Sequence, residues 1–182
     1  MKRFSLLGVI ALAIFLQADF LLAWHVKHTL KVLVETSPLI ITGKVSQVSS
    51  MIEKEKGREI IYTYITIETA SILKGELDTP MLTIRMLGGQ FGEKGSWSEE
   101  WIPFKNDEEV LLFLHSKDKS SNIWKIESIS GKLSVVNING VENFDCSMLR
   151  DDEVTRYDSD PYLKREIIID RIKDYMTREG GN

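Results

Sequence analysis

Residues 85–97 read RMLGGQFGEKGSW, with Gly88, Gly89, Gly92 and Gly95 inside eight positions and Lys94 and Ser96 among them. Glycine, lysine and serine are the residue types that cradle a phosphate, because backbone N–H groups approach it closely and the lysine supplies charge. A phosphate loop needs G-x-x-x-x-G-K-[ST] between a strand and a helix whose N-terminus faces the anion. Here Lys94 precedes Gly95, and the following SWSEEWIPF alternates like an extended segment rather than with a helical period. A dinucleotide fingerprint fails for the same want of a helix. The stretch therefore reads as a mobile loop between two barrel strands. Gln90, Phe91, Trp97 and Trp101 are its candidate partner-binding residues, since aromatics on glycine-flexible loops are typical contact groups. The same aromatic types also seal barrel ends, so the sequence leaves open whether they face the barrel or the solvent.

Other chemistry is sparse. His25 and His28 stand three apart, a spacing that presents two ligands on one helix face, but zinc takes three or four ligands and no third is near. His115 ends an apolar run with no catalytic partner evident in the sequence. Asp145, Asp151, Asp152, Glu153, Asp158 and Asp160 form an acidic stretch without the order or the glycine of a calcium loop, so it reads as a solvated loop and a helix cap. Cys146 has no basic neighbour closer than Arg150 to activate it, and no G-x-S-x-G elbow occurs. The expectation is no catalytic residue, no metal site and no cofactor.

The elements that must position these residues are mostly strands. Val26, Leu30, Leu33 and Val34 make a helical stripe over 25–36, which Pro38 ends. PLIITGKVSQVSS and REIIYTYITIETASILKG are rich in Ile, Val, Thr and Tyr, and the EKEKGRE between them reads as a hairpin tip at Gly57. Ile65 and Ile67 share one parity while Ala70 and Ile72, also expected in the core, have the other. A single bulge near Glu68–Thr69 reconciles them. A third strand spans 81–87. Val110–Leu114 is continuously apolar and suits a strand buried on both faces. Asn139-Gly140 between Val135-Val136 and Val141 marks a short hairpin. After Asn143 the sequence reads as an acidic loop. Asp160 and Pro161 then offer an N-cap and a first-turn proline for a helix over 161–177, whose Ile168, Ile172, Tyr175 and Met176 stripe docks on the body.

The 182 residues, 43% hydrophobic and 27% charged, suffice for a core without disulfides, and one cysteine cannot form an internal one. The net charge of −4 gives no basic field for nucleic acid. Lys2 and Arg3 before the run FSLLGVIALAIFLQADFLLAW have the layout of a signal peptide, residues 1–23, with cleavage after Ala18 or Ala23. An uncleaved anchor is the alternative, and the only membrane contact then expected. No Asn-x-Ser/Thr acceptor occurs, and an extracytoplasmic protein, periplasmic or secreted, is expected.

This pattern predicts a mainly β fold: an OB-type barrel of five to six strands with a short N-terminal helix, over 24–143, followed by an acidic loop and a docked amphipathic C-terminal helix over 144–182. The succession SPLIITGKVSQV, IIYTYITIETASILKG, MLTIRML, EEVLLFL and WKIESI resembles the netrin-like module of tissue inhibitors of metalloproteinases and of secreted bacterial proteins, over roughly residues 34–136. Its most suggestive parts are Gly43-Lys44-Val45 and Leu73-Lys74-Gly75. The resemblance implies an exported, non-enzymatic module that binds an extracytoplasmic protein. It does not carry over the inhibitors' zinc-chelating N-terminal cysteine, since Cys146 is the only cysteine. Two alternatives stay open: a metalloprotease inhibitor-like protein lacking that cysteine, and a carbohydrate- or metal-binding module, with Trp97, Trp101 and Trp124 as the sugar-stacking set.

Overall fold

The computed structural model describes residues 27–98, 101–118, 123–150 and 161–179. Helix α1, Leu30–Thr36, opens on Thr29, whose hydroxyl accepts the Val32 N–H at 3.1 Å, and buries Leu30, Leu33 and Val34. His25 and Val26 of the expected helix lie outside the described residues.

Strands β1 (Leu39–Glu55) and β2 (Arg58–Lys74) form one long antiparallel hairpin. Its two-residue tip, Lys56-Gly57, has φ of 49° and 79°. Positive φ at both turn residues matches the twist of the flanking strands. β3 (Met81–Leu87) pairs with β2, and β6 (Glu109–Asp118) pairs with both β1 and β7 (Ile123–Ile126). A short parallel contact of β3 with β7, Thr83 opposite Ile123 and Ile84 opposite Trp124, brings the strands round into a ring in the order β1–β2–β3–β7–β6–β1.

β6 carries two cores. Its Val110, Leu112 and Leu114 point into the ring, with Ile41, Ile65, Ile67 and Ile84. Its Leu111 and Phe113 point outward to a second core shared with Ile40, α1 and the C-terminal part of the protein. The expectation of burial on both faces holds, and it follows from a strand sandwiched between a barrel interior and a helical layer.

The bulge lies close to where the alternation placed it, but there is more than one. Thr42 faces Ser71 and Gly43 faces Thr69, so Ala70 is extra; a second slip makes Leu73 extra, and a third leaves Ser46 over in β1. Two slips on β2 reset the parity twice. Ala70 and Ile72, expected in the core, are exposed, and Leu73 packs against the second core instead. A side chain at Gly43 would sit 2.6 Å from the Glu68 carbonyl oxygen, so the first slip requires glycine there.

Beyond a 3-10 turn at Ile129–Gly131, β8 (Lys132–Ile138) and β9 (Val141–Asp145) extend the sheet from β6. Their turn is Asn139-Gly140 with φ of 52° and 81°, the hairpin expected from the dipeptide. β9 continues through Phe144 and Asp145, which the acidic composition assigns to a loop, because Phe144 is wholly buried in the second core.

The C-terminal helix is a correction. Pro161 does not start it; Tyr162–Lys164 forms a short strand, β10, against β9, and helix α2 runs Arg165–Glu179. The Pro161 carbonyl accepts the Cys146 N–H at 2.9 Å. Pairing with an open sheet edge outcompetes the helical start that proline favours. Asp160 lies outside the described residues. Ile168 and Ile172 are buried in the second core, with Tyr175 and Met176 packed against it, as the stripe requires. No helix among the described residues is long and apolar enough to cross a membrane.

Candidate functional site

The glycine-rich stretch is a small hairpin, not a mobile loop. β3 ends at Leu87, and Gly88 and Gly89 follow with φ of 97° and 126°. Such values are open to glycine and strained for other residues. A side chain on Gly88 would sit 2.6 Å from the Ser96 carbonyl oxygen, and one on Gly89 would overlap Thr63 and come within 2.7 Å of the Ser50 hydroxyl oxygen. The backbone thus turns sharply and lies on the Ser50–Thr63 rung of β1–β2. Those two hydroxyls are 2.8 Å apart, and Thr63 donates to the Gly88 carbonyl at 2.8 Å. β4 (Gly89–Phe91) and β5 (Lys94–Ser96) pair around Gly92-Glu93. Lys94 reaches Glu59 of β2 at 2.9 Å. Gly88 and Gly89 serve close backbone approach, with the Gly88 N–H donating to the Ile61 carbonyl at 2.8 Å, whereas Gly92 supplies the turn with φ of 59°.

This hairpin displays the candidate contact residues. Gln90 is exposed and donates to the Gly92 carbonyl at 3.3 Å. Phe91 is 47% exposed and Trp97 62% exposed. Trp101 is half-buried, and its ring meets Trp97 edge-to-face at 4.8 Å and 85°. Ile102, the next residue, is buried and anchors the segment. Phe91 and Trp97 therefore face solvent and do not seal the barrel.

The remaining candidates are dispersed. Trp124 is 6% exposed in the barrel core, so it cannot join Trp97 and Trp101 in a sugar-stacking surface. The His28 backbone is tied to Ser130 and Arg150, at 3.1 and 3.0 Å. His115 Nδ1 lies 3.5 Å from Glu127 Oε2, an acid–imidazole pair, but no hydroxyl or thiol is bonded to that imidazole among the described residues. Burial, and then Asp145, push the Cys146 thiol up to about 12, which makes it an inert core group. No group of three His, Cys, Asp or Glu residues is placed to hold a metal among the described residues. Asp145 accepts the Ser147 N–H at 3.0 Å; Asp151, Asp152, Glu153, Asp158 and Asp160 lie outside the described residues.

Two polar networks have no counterpart among the sequence-based expectations. On the outer face of the long hairpin, Tyr64 donates to Glu53, Arg85 lies 3.6 Å from Glu53 and stacks 4.5 Å over the Tyr62 ring, and Tyr62 donates to Glu55 at 3.1 Å. Burial first, and then the adjacent carboxylates, raise both phenols above their usual range. The second network centres on Glu108, which accepts from Lys132 at 2.8 Å, from Ser134 at 2.7 Å and from the Lys105 N–H at 3.0 Å. Lys132 also sits 4.4 Å over the Phe104 ring. Burial opposes ionisation of Glu108, but these donors outweigh it and hold the carboxyl below its ordinary range. The period-two spacing of Tyr62 and Tyr64 and of Glu53 and Glu55, folded about Gly57, is the signal that points to the first network. No local pattern points to the second.

A comparison with protein-family models finds no match, and no curated protein matches the sequence either.

Proposed function

We propose that the protein is an exported, non-enzymatic binding module that engages an extracytoplasmic protein partner through the β4–β5 hairpin, with Gln90, Phe91, Trp97 and Trp101 as contact residues. The observation that carries this reading is Trp97, a large residue 62% exposed yet seated edge-to-face on Trp101. An indole already braced by a neighbour loses little conformational freedom on binding, and tryptophan is among the residue types that dominate interface energies. The backing of the hairpin by Gly88, Gly89 and the Lys94–Glu59 pair gives the same advantage to the element as a whole. The strand ring, with one parallel contact between its third strand and β7, supports the finer reading of the barrel as OB-type, consistent with the netrin-like resemblance. Export rests on the basic-then-apolar layout of residues 1–23.

The test is affinity capture from the native envelope or culture fluid, with the mature protein and a Trp97→Ala/Trp101→Ala variant as parallel baits. A protein retained by the first and lost by the second, at equal melting temperature, supports the reading. Equal capture by both baits removes the hairpin from the interface.

A further inference from the structure

We propose that Asn139 is a site of spontaneous conversion to aspartate and isoaspartate, held in check by the neighbouring Asn137. Asn139 and Gly140 form the exposed tip of the β8–β9 hairpin. Both residues are exposed and no atom lies within 4 Å of where a side chain on Gly140 would be, so the tip stands open to water and hydroxide apart from the one hydrogen bond described below. Once that nitrogen loses its proton to base, it can attack Asn139 Cγ. The new bond from nitrogen to Cγ closes a five-membered imide as the bond from Cγ to Nδ2 of the carboxamide breaks and ammonia leaves. Water then opens the imide at either carbonyl, giving aspartate or isoaspartate. The net change is one water consumed and one ammonia released, with no oxidation or reduction.

The structure supplies both the hazard and the restraint. Asn137 Oδ1 accepts the Gly140 N–H at 2.8 Å, the same hydrogen that must leave before attack. The bond also fixes the turn, in which Asn139 has φ of 52° and Gly140 of 81°. Ring closure requires the peptide between them to rotate out of that turn, so conversion proceeds through opening of the hairpin tip. Other asparagines among the described residues are internal controls. Asn106 precedes Asp107 and accepts the Val48 N–H at 2.9 Å, and Asn143 precedes Phe144 and is 8% exposed. A bulky following residue hinders the attacking nitrogen at both. The aspartate product adds a negative charge at the tip. The isoaspartate product adds a backbone methylene that a two-residue turn does not accommodate, loosening a hairpin whose Phe144 covers the second core.

The experiment is a time course on the full mature protein at mildly alkaline pH, read by tandem mass spectrometry of the peptide spanning Asn139. A synthetic peptide of residues 133–146 serves as the unfolded reference. Conversion at Asn139 ahead of Asn106 and Asn143 is expected, slower in the folded protein than in the peptide. Asn137→Ala should speed it about fivefold, the scale on which one net hydrogen bond acts. Asn137→Asp keeps the acceptor oxygen and should stay near the wild-type rate. The proposal fails if Asn106 or Asn143 converts first. It also fails if folded protein and peptide convert equally fast, or if Asn137→Ala and Asn137→Asp are indistinguishable.

Discussion

The β1–β2 hairpin belongs to two different environments along its length. In its barrel half, Ile41, Val45, Ile65 and Ile67 are sealed between the ring strands, and the bulges bend both strands into closure. In its distal half, Ile61 and Thr63 are buried, while Met51 is 44% exposed and the outer face is held by Tyr62, Tyr64, Glu53 and Arg85. The backbone pairing is continuous from one half to the other. What changes is the cover: a closed apolar interior in one, and in the other a glycine hairpin on one face and a polar network on the opposite face. A region held that way can carry exposed aromatics, because its own stability does not depend on burying them.

The contrast predicts a descending series of effects on unfolding free energy, measured by denaturant titration. Phe113→Ala, at a fully buried site joining barrel wall and helices, should cost about 3–5 kcal/mol. If it costs no more than a distal substitution, the two environments are not different in kind. Lys132→Ala leaves the half-buried Glu108 without its cation and should cost about 1–3 kcal/mol, with Glu108→Gln milder. Gly89→Ala forces a methyl group into Thr63 at φ of 126° and should cost about 1–3 kcal/mol. Its hydrogen-exchange signature should be confined to β4, β5 and the Ser50–Thr63 rung; exchange spreading to β6 would merge the two regions. Trp97→Ala should change stability least, by about 0.5–1 kcal/mol, because a solvent-facing residue loses little beyond its edge-to-face contact with Trp101, and under the proposed function it should weaken partner capture.

A pH titration sharpens the same division. Glu108 is held below its ordinary range in the folded state, so its contribution to stability is complete above the unfolded carboxyl value. That contribution is lost as pH falls through the lower folded value. Acid should therefore weaken the wild type in this window more than Glu108→Gln, and a parallel decline in both proteins would remove Glu108 as the cause.

Much of the framework is legible in the sequence because it rests on local rules. The Asn139-Gly140 and Lys56-Gly57 tips, the doubly buried run Val110–Leu114 and the Ile168–Ile172 stripe each carry their signal within a few residues. The misses have one physical cause in common. The expected Pro161 helix start gives way to pairing with β9, Ala70 becomes the extra residue of a bulge against β1 while Ile72, opposite Ile41, stays 43% exposed, and Trp124 is taken into the core by its position on β7. In each, a distant strand decides the outcome. At the candidate site, the sequence indicates Phe91, Trp97 and Trp101 as residues of interest and excludes a phosphate cradle, but not the direction they face.

By itself, then, the sequence determined a mainly β protein with its turns and its apolar strands, because turn chemistry and apolar–polar alternation act over a few residues. The tertiary structure decided that Gly43, Gly75, Gly88 and Gly89 are glycines for close backbone approach, with Lys74 reaching across to the Val34 carbonyl at the end of α1. It also decided that Trp97 stands in solvent while Trp124 does not, because exposure depends on which strand comes to lie alongside, and that is fixed only when the ring closes.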